Sequence, residues 1–93
     1  MGLIFEWDKR KAATNLRKHQ VSFEEASTVF GDPLSLTITD PDTYLQEERS
    51  ITVGHSFSGR IIVVVHVDRG DNIRIVSARP TTRKEKKAYE ESQ

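Results

Sequence analysis

Hydrophobic and polar positions change their spacing twice along the chain. Ile4-Phe5-Glu6-Trp7 reads as a short strand, and Asp8 behind it suits the N-cap of a helix, where a carboxylate accepts the unpaired N–H groups of the first turn. In that helix Ala12, Leu16 and His19 share one face; Lys11, Thr14 and Lys18 share another, with Arg10 and Arg17 nearby. Val21-Ser22-Phe23-Glu24-Glu25-Ala26 signals a second helix. Ser22 and Glu25 have capping-box spacing, and Val21 and Ala26 have that of a hydrophobic staple. Phe23, Ala26 and Phe30 make an apolar stripe. Gly31 is placed to end the helix in the left-handed conformation, and Pro33 forbids continuation.

From there the period falls to two. Leu34-Ser35-Leu36-Thr37-Ile38-Thr39 alternates cleanly, Asp40-Pro41-Asp42 is a loop, and Arg49-Ser50-Ile51-Thr52-Val53 alternates again. After a tight turn at Ser58-Gly59, Ile61-Ile62-Val63-Val64-Val65-His66-Val67 is apolar almost throughout, as in a central strand covered on both faces. Arg69-Gly70-Asp71 turns the chain into a last strand over 72–79. Thr82 and Glu85 form a further capping box that opens a final helix. The predicted fold class is α+β: a short N-terminal strand, two helices packed on one face of an antiparallel four-stranded meander, and a C-terminal helix, in one domain over residues 1–93. The early helices need a surface for Leu16, Phe23 and Phe30. The sheet face carrying Leu34, Leu36, Ile38, Ile51 and Val53 is expected to supply it. That leaves Thr37, Ser50, Thr52 and Arg74, with His66 able to join them, on an open polar face.

The final helix has little to bury, since from Thr82 to Glu91 only Ala88 and Tyr89 are apolar or aromatic. Either it is a solvated helix held by its cap and by Lys86–Glu90 and Lys87–Glu91 pairs, or it presents cations to phosphate beside Arg79.

Composition narrows the classes. A chain of 93 residues with 35% hydrophobic and 30% charged side chains fits a small globular domain with a modest core. No apolar run is long enough to span a bilayer, and no signal peptide is recognisable, so a cytoplasmic protein is expected. The absence of cysteine removes disulfides, thiolate metal sites and a thiol nucleophile. His19, His55 and His66 lack metal-ligand spacing, and there is neither a phosphate-binding glycine loop nor a serine-nucleophile motif, so no metal or cofactor is expected. The net charge of zero hides a polarity. Residues 20–48 hold seven acidic side chains and no Lys or Arg, whereas residues 74–87 hold six cations against Glu85 alone. One surface suits a polyanion and another a basic partner.

A polar sheet face edged with Arg can seat RNA, which is cleavable without a metal when the 2′-hydroxyl attacks the adjacent phosphorus. The protein must then move two protons and stabilise a crowded anion, and guanidinium suits the second task. Arg79, at the end of the last strand, is the first candidate for phosphate contact, and Arg83 the next. Arg74 lies mid-strand, and Arg49 begins a strand beside Glu47 and Glu48, with which it can instead pair. Lys18 and Lys84 are further phosphate contacts. Tyr89 and His19 are the proton-transfer candidates, with packing back onto the domain (Tyr89) and helix capping (His19) as their structural alternatives. Trp7 is read as core edge.

These residues carry a resemblance. Phe5-Glu6-Trp7-Asp8, Lys11-Ala12, Asn15, Lys18-His19 and Val21-Ser22-Phe23-Glu24-Glu25-Ala26 resemble the opening of the BrnT toxin family. Glu48-Arg49, Gly54 and Arg74-Ile75-Val76-Ser77-Ala78-Arg79, with Thr82, Glu85 and Tyr89, resemble its second half. Gln20 stands where the family usually has Gly, and Lys86 where an Arg is common. The resemblance implies a type II toxin of RelE-like fold: a ribonuclease that arrests translation and is neutralised by BrnA, an antitoxin whose ribbon-helix-helix domain binds operator DNA. It implies RNA as substrate, DNA contact only through the antitoxin complex, a complex that can contain a toxin dimer, and no membrane. The alternative is a non-catalytic partner module that binds an antitoxin and adjusts its operator binding.

Overall fold

The computed structural model describes residues 3–39 and 49–93. The loop Asp40-Pro41-Asp42, the acidic residues Glu47 and Glu48, and the Glu48 half of the Glu48-Arg49 motif lie outside the described residues.

The chain runs β1 (Ile4–Glu6), α1 (Lys9–His19), α2 (Phe23–Thr28), a 3-10 turn (Val29–Gly31), β2 (Leu36–Thr39), β3 (Ser50–His55), β4 (Ile61–Arg69), β5 (Asn72–Pro80) and α3 (Arg83–Glu91). The sheet order is β1-β5-β4-β3-β2. β2 to β5 form the antiparallel meander, and β1 adds a parallel strand beside β5. The element order and the meander agree with the sequence reading.

Asp8 caps α1 by accepting from the N–H groups of Arg10 and Lys11, which hold its carboxyl below the usual range. Ser22 caps α2 through the N–H of Glu25, but the Glu25 side chain does not close the expected box. It reaches instead to Arg60, Ser56 and Ser58 in the β3–β4 hairpin. That half-buried ion pair, led by Arg60, pulls the Glu25 carboxyl down to about 2 and ties α2 to the hairpin. Gly31 is not left-handed. The left-handed helix end is instead at Gln20, φ 56°, after α1.

The faces of the sheet are the reverse of those expected. The core joins Val21, Phe23, Ala26 and Val29 to Ile62, Val64, Ile75 and Ala78. By strand register this helix-covered face also carries Thr37 and Thr52, opposite Val64, and His66, opposite Ile75. The polar groups survive there because they satisfy one another. The His66 Nδ1 meets Asp68 at 2.7 Å and its Nε2 meets Thr52 at 2.8 Å. Thr52 in turn meets Thr37 at 2.7 Å, and the imidazole packs edge-on to Phe30. Leu36, Ile38, Ile51 and Val53 lie on the other face, where Leu36 and Ile38 are exposed, as is Leu34 in the turn before β2. The central strand decides this. Ile62 and Val64 of β4 outweigh the alternation of the edge strands.

α1 also turns differently from its predicted stripe: Leu16 is exposed and Asn15 is buried. β1 pairs only with Asn72–Arg74, so the outer edge of β5 is unpaired further on. Asn15 fills that edge. Its side-chain amide donates to the carbonyl of Ala78 (2.8 Å), accepts from the Ala78 N–H (3.1 Å) and donates to the carbonyl of Val21 (2.9 Å). Trp7 packs edge-on to Phe23, as a core-edge residue should.

Candidate active site

The open face is the one α1 and α2 leave uncovered. Arg79 lies on it, in a row Arg79–Val63–Val53–Leu36 across β5, β4, β3 and β2. Arg74 lies on the same face opposite Val67, and is half-buried. His55, at the end of β3 and opposite Ile61, stands one pleat beyond the Arg79 row. α3 crosses this end of the face. It is fixed over β5 by Glu85 and at β3 by Tyr89.

Arg79 makes a two-pronged pair with Glu85, Nη1 to Oε1 at 2.7 Å and Nη2 to Oε2 at 2.8 Å, while Nη1 also donates to the carbonyl of Pro80. The same Glu85 closes the capping box of α3 with Thr82. This pairing, with Arg79 the chief cause, takes Glu85 down to about 2 and raises Arg79 further above its ordinary value. A guanidinium has five N–H donors, and these bonds use three. Among the described residues nothing takes up the Nε–H and one Nη2–H, which lie side by side on a side chain 40% exposed.

Tyr89 is buried, and its hydroxyl donates to Asp32 Oδ2 at 2.6 Å. Burial first, then the carboxylate, pushes this phenol up to about 12. Asp32, just past the 3-10 turn, also accepts from the backbone N–H of His55 at 2.8 Å. That bond first, then the Tyr89 hydroxyl, brings its carboxyl down to about 2. Gly54 lets Asp32 come this close. A Cβ there would lie 2.9 Å from the Ser35 Cβ and 3.1 Å from Asp32 Oδ2.

A basic cleft of about 300 Å³ opens between α1 and β5. Arg10, Lys11, Thr14, Lys18 and His19 line its helix side, and Val76 and Ser77 its strand side. Spacings of four place Arg10, Thr14 and Lys18 in one row and Lys11, Asn15 and His19 in the next. Among the described residues, none of these cations forms an ion pair.

The predicted residues therefore divide into groups. Arg79 and Arg74 share the open face. Lys18 and His19 share the edge cleft. Arg83 and Lys84 are exposed in the first turn of α3, and Arg49 is exposed just before β3, with an interaction of its own. No hydrogen bond or ion pair among the described residues joins Arg79, Tyr89 and His19 to one another. The sequence reading missed Asp32 and His55. Strand parity offered a signal for His55, which continues the Ile51, Val53 row, but nothing local pointed to Asp32. Among the described residues no group of His, Asp and Glu can hold a metal ion, and no helix is long and apolar enough to cross a membrane.

Residues 7–85 match the family model described as the ribonuclease toxin BrnT of type II toxin-antitoxin systems. The chain belongs to this family. It is thus a ribonuclease toxin whose system supplies an antitoxin partner and whose substrate is RNA. The crystal structure of the Brucella abortus ribonuclease toxin BrnT is similar in fold, with a TM-score of 0.61 at 22% identity, over 89% of this chain and 99% of that one. No curated protein matches the chain. The BrnT match covers the basic cleft, Asp32, His55, Arg79 and Glu85, and ends before Tyr89.

Proposed function

We propose that this ribonuclease toxin cuts RNA without a metal ion, on the open sheet face where β5 passes into α3. The observation that carries the reading is the state of Arg79. Glu85 aims its guanidinium without exhausting it, and the free Nε–H and Nη2–H form a fork that matches two phosphate oxygens. An oriented guanidinium of this kind stabilises the charge that develops on phosphorus as the 2′-oxygen attacks. Arg74 and Arg49, with Arg83 and Lys84 at the start of α3, hold flanking phosphates. Lys18 continues that track into the edge cleft, where His19 is placed to exchange protons. Tyr89 is suited to donating a proton rather than taking one, and its first task is to hold Asp32.

The antitoxin is proposed to be BrnA-like, with a ribbon-helix-helix domain that binds operator DNA. The toxin reaches DNA only within that complex, which can contain a toxin dimer. The exposed apolar side chains Leu36 and Ile38, on the open side of edge strand β2, support a protein-covered surface there.

The test is a synthetic RNA carrying a single 2′-deoxy substitution at the mapped cleavage site. Expected are loss of cutting at that site and, from the unmodified RNA, products ending in a 2′,3′-cyclic phosphate. Cutting of the substituted strand at an equal rate would overturn the mechanism.

A further inference from the structure

His55 has no part in the reading above, yet its surroundings fix its chemistry. Tyr89 commits its proton to Asp32. The phenol oxygen also lies 3.3 Å from His55 Nδ1, and toward that nitrogen it can only accept. Asp32 Oδ2, at 3.5 Å from the same Nδ1, favours the same arrangement. The Nδ1 therefore carries the hydrogen, and Nε2 is left with the lone pair. The ring is held by an edge-on contact with Tyr89, centroids 5.5 Å apart, and the side chain is 49% exposed. Asp32, from the turn before β2, and Tyr89, from α3, are the titratable groups that face it.

Its place on the sheet suits this chemistry. His55 is two strands and two residues away from Arg79, roughly 12 Å between Cα atoms at ordinary strand spacings. Both side chains belong to the open face, with the buried Ile61 and Val63 of β4 between them and α3 touching one through Glu85 and the other through Tyr89.

We infer that His55 is a catalytic residue, the general base that removes the 2′-hydroxyl proton through Nε2, with Asp32 and Tyr89 as positioning residues. This rests on RNA being cut beside Arg79. In the step, the 2′-O–H bond breaks and its proton passes to Nε2. The 2′-oxygen bonds to phosphorus, and the P–O5′ bond breaks. The 5′-oxygen leaves with a proton from water, and the imidazolium returns its proton to the hydroxide so formed.

The experiment compares wild type, His55→Gln, His55→Ala and Tyr89→Phe in single-turnover RNA cleavage across pH, with melting temperature as the folding control. Binding is read separately on a non-cleavable 2′-deoxy oligonucleotide. Expected for His55→Gln is a loss of about 10²–10⁴-fold in rate with binding unchanged. The acid limb of the pH profile should flatten, and added imidazole should partly restore His55→Ala. Tyr89→Phe should move that limb rather than abolish it. A folded His55→Gln that cuts at the wild-type rate would overturn the inference, as would equal losses of binding and rate. If Arg79→Ala is inactive while His55→Gln is not, the seat of cleavage stands and only the base is wrong. If neither variant slows cutting, both fail.

Discussion

Single residues carry much of this fold. Asn15 does the work of a missing strand partner, since one side-chain amide satisfies both backbone groups of Ala78 and the carbonyl of Val21. Asn15→Ala should therefore leave buried peptide groups unpaired and cost about 3 kcal/mol, read from urea unfolding. Leu16→Ala, on the exposed side of the same helix, should cost far less. Gln20 holds a left-handed conformation that glycine adopts without steric cost. Gln20→Gly should raise stability by about 1 kcal/mol in the same assay. Neither role was legible from spacing: Asn15 meets a strand edge 63 residues away, and Gln20 carries no glycine to mark its conformation. The caps at Asp8, Ser22 and Thr82 were legible, because capping needs only a side chain and the N–H groups two or three residues on.

At the scale of elements, order and type follow from the sequence because periodicity is local. Facing does not. An alternating strand announces two faces without saying which one the helices will cover, and a wrong choice moves every side chain together. Here β4 and β5 fix the choice, placing Thr52 and His66 beneath the helices, with Thr37 and Asp68 as the exposed ends of their hydrogen-bond chain, and leaving Leu36 and Ile38 outside. If that outer row is covered by antitoxin, Leu36→Glu with Ile38→Glu should weaken the complex at least tenfold in a titration while leaving RNA cleavage intact. The puzzle of α3 resolves at this scale too. Lys86 and Lys87 form no ion pairs among the described residues. The helix is held instead by Glu85 on Arg79 and by Tyr89 on Asp32, so the segment that follows the strand is tied to both ends of the proposed site. Arg79 was legible as a strand-end cation. The Asp32–His55–Tyr89 group was not, because it exists only once α3 has folded back onto β3. Gly54→Ala should disturb that junction by forcing Asp32 and Ser35 away from β3, at about 1–3 kcal/mol.

For the whole molecule, neutrality and function are reconciled by distribution. Carboxylates at Glu25, Asp32 and Glu85 are spent inside the fold, each drawn down to about 2, while the cleft and the start of α3 keep their cations outward. Because these folded-state values lie below the ordinary 4.5 of Glu and 3.8 of Asp, the stability they confer is present above that range. It is lost as pH falls from about 4.5 toward 2. Urea midpoints should fall across that window, and Glu25→Gln should flatten the fall. The same distribution predicts binding to single-stranded RNA that weakens with salt. The logarithmic slope should drop by about 0.7 for each phosphate contact removed, as in Lys18→Ala. A slope unaltered by that substitution would take the edge cleft out of the RNA track.

The central claim is that a guanidinium aimed by Glu85, and no metal ion, stabilises the reacting phosphate. The direct measurement is the single-turnover rate of RNA cleavage in excess EDTA, wild type beside Arg79→Ala, with melting temperature recorded for both. The account predicts undiminished cutting by wild type and a loss of roughly 10²–10³-fold in a folded Arg79→Ala. A wild type that falls silent until a divalent ion is restored, or a folded Arg79→Ala that cuts at the full rate, would contradict it.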